Sequence, residues 1–126
     1  MARPLNFFEK PLDWVGSSKK EFLAFPESVK NEMGNALGVA QLGGTHPSAK
    51  HWKGQGSGVF EIVEDYVGDT YRAVYTVRFK EVVYVLHAFQ KKSPKGIKTA
   101  QHDVDLVEQR LKTAKQDHEA RYGKQR

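Results

Sequence analysis

The chain has 126 residues, of which 39% are hydrophobic, and it carries a formal net charge of +5 with a pI near 9.4. This length is typical of one domain with a modest core, so we expect a single domain over residues 1–126. The charge favours a polyanionic partner without identifying it. The absence of cysteine excludes disulfides, thiolate zinc sites and cysteine nucleophiles. No apolar run is long enough to cross a bilayer, and we expect a cytoplasmic protein with no membrane partner.

Two helices are predicted in the first third of the chain. Ser18 and Glu21 have the spacing of a capping box, which predicts a short helix over about residues 18–25. Pro26 disfavours its continuation and is well suited to opening the next helix. Apolar residues then recur at helical spacing until a pair of glycines at residues 43–44: Val29, Met33, Ala36, Leu37 and Ala40. The pattern predicts a helical hairpin with one apolar face.

The period changes to two after a glycine-rich segment at residues 43–58, which reads as a flexible loop. The runs GVFEIVEDY, TYRAVYTVRF and VVYVLHAFQ predict three antiparallel strands in a meander, joined by turns at VGDT and KE. In the second strand Arg72 and Arg78 share one face, because successive side chains alternate. The other face carries Tyr71, Ala73, Tyr75, Val77 and Phe79. The third strand is apolar on both faces, so we expect it to be covered on both sides. LNFF near the start is a candidate outer strand.

A last helix is predicted after KKSPKG. Thr99 is a candidate cap, and an apolar stripe follows at Val104, Val107, Leu111 and Ala114. We expect this stripe to pack on the sheet. The elements together predict an α+β fold, with an N-terminal helical hairpin packed on a small twisted, mostly antiparallel sheet and a C-terminal helix.

The residue types leave a cationic site as the best candidate for chemistry. The five histidines lack metal-site spacing, the glycines of WKGQGSG match no phosphate-binding fingerprint, and no serine has a nucleophile-elbow context. The basic residues that remain near the strands are Lys50, Lys53, Arg72, Arg78, Lys91 and Lys92. Arg72 is the most informative, because an arginine within an aromatic strand either faces water or holds an anion. Solvated charges at strand ends are the alternative interpretation.

Cations of this kind can support phosphodiester chemistry without a metal, because they stabilise charge that develops on a phosphoryl group. RNA supplies its own nucleophile, the 2′-hydroxyl, so the protein would add a general base and a general acid. Tyr75, His87 and a lysine of depressed pKa are the open candidates for proton transfer. A core position is the stronger interpretation for Tyr75 and at least an equal one for His87.

The ordered motifs GVFEIVE, YRAVYTV and VYVLHAFQKKSPKG, followed by an amphipathic helix, resemble the phage-related, HigB-like branch of the RelE/ParE toxin superfamily. The segment FPESVKNEMGNALGVAQLGG resembles the second helix of that branch, and the aromatic-Gln-Lys-Lys ending is the most specific mark. The resemblance covers about residues 15–115 and implies a fold like that of small microbial ribonucleases. It implies a type II toxin that cleaves mRNA in the ribosomal A site, needs no metal or small-molecule cofactor, and is neutralised by a HigA-like helix-turn-helix antitoxin.

The resemblance also implies roles for single residues. Arg72 would stabilise the scissile phosphate, Lys91 would help to polarise it, and Lys53 matches a basic position of the preceding loop. A further set would steer RNA and the ribosome: Lys50, Arg78, Lys92, Lys95 and Lys98. His87 is counted with the catalytic candidates.

One departure and two alternatives accompany this resemblance. Many superfamily members carry an arginine after the first strand's Glu-Ile, whereas here Val63, Glu64 and Asp65 follow, which removes a cation and puts acid close to the proposed phosphate site. The first alternative is a ParE-like inhibitor of DNA gyrase that cleaves no RNA. The second is a non-enzymatic, basic, phage-derived module that binds nucleic acid or protein.

Overall fold

A computed structural model describes residues 9–91 and 99–123 of the chain. Its elements in chain order are β1 (Leu12–Trp14), α1 (Ser18–Leu23), α2 (Glu27–Gln41), β2 (Ala49–His51), β3 (Val59–Tyr66), β4 (Asp69–Thr76), β5 (Val83–Lys91) and α3 (Gln101–Tyr122). The strands form one five-stranded sheet in the order β1-β5-β4-β3-β2. β1 runs parallel to β5, and the other neighbours are antiparallel. The predicted α+β fold with a mostly antiparallel sheet and a C-terminal helix is therefore confirmed.

Two apolar cores lie on opposite faces of this sheet. On one face α1 and α2 pack against β3, β4 and β5, and the whole predicted stripe of α2 is buried. On the other face α3 buries Val107, Leu111 and Ala114, with Val104 half-buried. β5 lies between these layers, and the prediction that it is covered on both sides is confirmed. Within the described ranges, no helix is both long and apolar enough to cross a membrane.

Several element boundaries differ from the predicted ones. β2 forms inside the glycine-rich segment, where a loop was expected, and it pairs with β3 at the sheet edge. The outer strand beside β5 is Leu12–Trp14, whereas LNFF lies outside the described residues. β4 ends at Thr76, so alternation stops there and Phe79 packs in the α3 core, not in the core that holds Tyr75.

The predicted helix caps are wrong. The N-cap of α1 is Ser17, with no capping side-chain hydrogen bond. Ser18 is fully buried, and its hydroxyl donates to a backbone carbonyl oxygen of β5 at 3.1 Å. Glu21 accepts a hydrogen bond from the Ser17 hydroxyl at 2.9 Å and joins an ion network described below. The N-cap of α3 is Ala100 and not Thr99. Tertiary partners therefore outcompete local capping at α1.

Candidate functional site

A groove of about 610 Å³ opens between the β2–β3 hairpin and the start of α3. Its lining residues include Lys50 of β2, Trp52 and Lys53 directly after β2, and Glu61 of β3. The start of α3 closes the opposite side with Gln101 and Val104. Two of the predicted site residues, Lys50 and Lys53, are thus brought together at one groove.

The register of the β3–β4 hairpin brings a carboxylate to Arg72. Val63 lies opposite Arg72, and Glu61 lies opposite Val74, so all four side chains share one face of the sheet. Arg72 Nη1 donates to Glu61 Oε1 at 2.5 Å. Their side chains are only 15% and 11% exposed. Arg72 is therefore a mostly buried, ion-paired arginine and not a solvated charge at a strand end.

Two lysines flank this pair on the same face. Lys50 lies opposite Glu61 in the β2–β3 register, while Lys91 lies opposite Thr70, one diagonal step from Arg72. The pKa of Lys91 is lowered, because burial penalises its charge and because Arg72 and Lys50 repel it more than Glu61 attracts it. We call Lys50, Glu61, Arg72 and Lys91 the cationic cluster.

The cationic cluster is suited to binding an anion. Its three cations outnumber its one carboxylate, and the partial burial of Arg72 and Glu61 reduces screening by water. A guanidinium can contact two oxygens of a phosphate at once, whereas an ammonium acts as a point charge. Arg72 Nε is buried and has no hydrogen-bond partner in the part of the chain that the structure describes. A phosphate at the cluster would offer an acceptor to such a donor.

His87 lies in a different, buried ion network. Its ring nitrogens are 3.0 Å from Glu21 Oε1 and 2.7 Å from Asp103 Oδ1, and its side chain is 4% exposed. Arg110 donates to the same Glu21 carboxylate at 3.0 Å. Burial opposes the charge of Glu21, but the hydrogen bonds from Arg110, the Ala88 amide and His87 outweigh it and lower the pKa of Glu21 to about 2. The network joins α1, β5 and α3, which fits the core interpretation of His87; its catalytic role stays a prediction.

Tyr75 also lies apart from the cationic cluster. Its side chain is fully buried on the α1–α2 side of the sheet, where burial raises its pKa to about 12. Its hydroxyl has no hydrogen-bond partner among the described residues. A phenol this hard to ionise, on the face opposite Arg72, fits the core interpretation.

The remaining predicted cations divide into two groups. Arg78 follows β4 and donates to backbone carbonyl oxygens of Gln55 and Ser57 in the loop between β2 and β3. Three further lysines lie outside the described residues: Lys92, Lys95 and Lys98. Their roles in RNA and ribosome binding stay predictions.

The acid that approaches Arg72 is Glu61, which sequence reasoning did not consider. Glu64 lies on the opposite face of the sheet, because it is three residues from Glu61 and side chains alternate, so the expectation is wrong for this residue. Burial and nearby carboxylates raise the pKa of Glu64 there. Asp65 accepts a hydrogen bond from the Thr70 hydroxyl at 2.8 Å, at the end of the hairpin.

Sequence reasoning therefore missed Glu61 and Trp52. The signal for Glu61 is the hairpin turn, in which Val67 and Gly68 have φ values of 49° and 84°, as a tight two-residue turn of type I′ requires. That turn fixes the register and places Glu61 beside Arg72. Trp52 is 5% exposed, and a residue so buried within an apparent loop gives no periodic signal. Across the described ranges, no three His, Asp or Glu side chains are grouped as metal ligands.

The structure defines a small α+β protein with a mostly antiparallel sheet and with cations gathered on one sheet face. A mutant of the E. coli toxin RelE in the free state superposes with a TM-score of 0.52 at 20% sequence identity, covering 83% of this chain and 97% of that chain. The family model "Phage derived protein Gp49-like (DUF891)" matches residues 20–112. The chain thus belongs to the phage-derived Gp49-like family, and the predicted kinship with the RelE/ParE superfamily is confirmed. No curated protein matches the chain.

Proposed function

We propose that this protein is the toxin of a type II toxin–antitoxin system and acts as a ribosome-dependent mRNA endoribonuclease. The observation that carries the proposal is the cationic cluster, in which a mostly buried Arg72 lies beside Lys50 and Lys91 at the edge of a groove. The family and the RelE fold support a toxin, and the cluster supplies groups that RNA cleavage needs. HigB-like and HigA-like identities for the toxin and its antitoxin are part of the same proposal.

In this reaction the 2′-oxygen of the RNA attacks the adjacent phosphorus, and the bond to the 5′-oxygen breaks. The products are a 2′,3′-cyclic phosphate, which water can hydrolyse to a 3′-phosphate, and a new 5′-hydroxyl. Arg72 stabilises the negative charge on the non-bridging oxygens as the pentacoordinate state forms. Lys50 and Lys53 bind neighbouring phosphates in the groove.

Proton transfer is assigned to two groups of the cationic cluster. Glu61 accepts the proton of the 2′-hydroxyl, because its carboxylate lines the groove next to Arg72. Lys91 donates a proton to the leaving 5′-oxygen, and its lowered pKa eases that transfer. His87 is left out of the mechanism, since both its ring nitrogens face carboxylates in the buried network.

A reconstituted translation complex with a defined codon in the A site tests the proposal. Wild-type protein should release a fragment with a 5′-hydroxyl, and Arg72→Lys and Lys91→Ala should lower the single-turnover rate by about 100-fold, as expected when charge stabilisation or proton transfer is lost. Lys19→Ala is the matched control, because Lys19 is an exposed lysine of α1. Intact mRNA with folded wild-type protein would reject the endoribonuclease.

The gyrase-inhibitor alternative makes a different prediction. A ParE-like protein would produce DNA breaks and leave the mRNA intact. A non-enzymatic basic module would produce neither, and its binding to RNA would not depend on whether position 72 carries a guanidinium or an ammonium. The burial of the Arg72–Glu61 pair favours a built site over a general basic surface.

A further inference from the structure

The loop between β2 and β3 has little of its own to hold its shape. It contains the sequence KGQGSG, and Gly54, Gly56 and Gly58 have φ values of 100°, 80° and 83°, which only glycine adopts readily. Lys53 and Gly54 at its start are exposed. Such a loop is expected to sample many conformations unless an outside group holds it. Yet Lys53, at its start, must keep one position if it is to line the groove.

Arg78 supplies that outside group. Its Nε and Nη2 donate to the Ser57 carbonyl oxygen at 3.2 and 2.7 Å. Nη2 also donates to the Gln55 carbonyl oxygen. One guanidinium thus binds two carbonyls on either side of Gly56, and its fork geometry makes this possible from a single side chain.

The backbone around Arg78 is built into the same contact. The Arg78 N–H donates to the Thr76 hydroxyl at 3.1 Å, and that hydroxyl donates to the Gly58 carbonyl oxygen at 2.7 Å. A Cβ atom on Gly56 would lie 3.3 Å from Arg78 Nη2, and one on Gly58 would lie 3.4 Å from Arg78 Cα. The loop therefore packs in close contact with Arg78.

We propose that Arg78 is a positioning residue that clamps the loop over residues 53–58 and thereby holds Lys53 at the groove. In this role Arg78 does not contact RNA directly, because its Nε and Nη2 atoms already donate to the loop carbonyl oxygens. The loop part of the proposal stands on geometry alone. The part that makes RNA phosphate the ligand of Lys53 rests on the proposed function.

Arg78→Lys separates a clamp from an RNA contact, because lysine keeps the charge but cannot bind two carbonyls through a planar fork. We expect Arg78→Lys to weaken binding of a labelled single-stranded RNA oligonucleotide as much as Arg78→Ala does, by about three- to tenfold at low salt. The Arg78→Ala/Lys53→Ala double variant should bind no more weakly than Lys53→Ala, since both changes remove the same contact. Wild-type RNA affinity in Arg78→Lys would overturn the proposal. So would a double variant whose loss of affinity equals the product of the two single losses.

Hydrogen exchange of the loop gives a reading that needs no RNA. The Trp52 and Val77 amides donate to the Val59 and Gly58 carbonyl oxygens, both at 2.9 Å, at the base of the loop. These amides should exchange at least tenfold faster in both Arg78 variants, while Lys80→Ala, which removes an exposed lysine of the next turn, should leave them unchanged. Unchanged loop exchange in Arg78→Ala would overturn the clamp. If the loop loosens while wild-type protein binds no RNA, the clamp stands and the proposed function fails.

Discussion

Replacing Glu61 by glutamine should destabilise the protein by about 2–3 kcal/mol, because Arg72 would stay charged and lose its carboxylate. The estimate follows from the burial of the pair. Breaking a fully buried ion pair costs about 3–5 kcal/mol, whereas exposed pairs contribute about 0–1 kcal/mol. With side chains 15% and 11% exposed, the Arg72–Glu61 pair lies between these two cases and closer to the buried one, which gives about 2–3 kcal/mol.

Urea unfolding at neutral pH measures this free energy, and thermal unfolding provides a second reading. For a domain of this size about 1 kcal/mol shifts the midpoint by about 4 °C, so Glu61→Gln should lower it by about 10 °C. Glu27→Gln is the matched control, because Glu27 forms a 3.4 Å pair with Lys30 on α2 and its side chain is 79% exposed. That control should change stability by less than about 0.5 kcal/mol.

The double variant Glu61→Gln/Arg72→Gln tests the cause of the loss. Removing both charges should recover at least about 1 kcal/mol relative to Glu61→Gln, since no unpaired guanidinium then remains buried. If Glu61→Gln is as stable as Glu27→Gln, the pair is solvated in solution and the reasoning from burial is refuted. The same outcome would remove the argument that Arg72 belongs to a built site.

Three further predictions concern stability away from the cluster. Tyr75→Phe should be neutral or stabilising by up to about 1 kcal/mol, because its buried hydroxyl lacks a partner among the described residues. Tyr84→Phe should instead cost about 1 kcal/mol, because it loses a 2.6 Å hydrogen bond to Asp117, and the urea unfolding midpoints of the two variants test this difference. The charge of Glu21, with its pKa lowered from 4.5 to about 2, stabilises the fold above about pH 4.5, and this contribution is lost as the pH falls towards 2. The melting midpoint, plotted against pH across that window, should therefore change less steeply for Glu21→Gln than for wild type. An equal pH dependence would contradict the stabilising role of the network. Val67→Asn should stabilise by about 1 kcal/mol, because Val67 is exposed and has a φ of 49°, which asparagine tolerates better; an equal or lower melting midpoint would refute this.

The parts of the fold that sequence could predict are those with a long, regular period. The α2 stripe, the alternation of β3 and of β4 as far as Thr76, and the continuous apolar run of β5 give such signals, and these residues are buried as predicted. β2 has only three residues, follows Pro47 and lies among glycines, so it offers no period to detect. Its pairing depends on the edge that β3 presents, which is a tertiary property.

The cationic cluster was predictable in part. Alternation alone places Arg72 on one face of the sheet, and the predicted meander places the strand that ends near Lys91 beside the strand of Arg72. The neighbour Glu61 required the register of the hairpin, which the turn at Val67 determines. His87 could not be placed from sequence, because its partners come from α1 and α3, far away in the chain.

The central claim is that Arg72 serves a site that cleaves RNA, and transcript ends test it most directly. Brief expression in a bacterial host, followed by mapping of 5′-hydroxyl ends across all transcripts, compares wild type with Arg72→Lys, Lys91→Ala and the control Lys19→Ala. We predict new ends within translated frames for wild type and Lys19→Ala, lost with Arg72→Lys and when translation is blocked. Growth arrest with intact transcripts, or ends that persist with Arg72→Lys, would contradict the account.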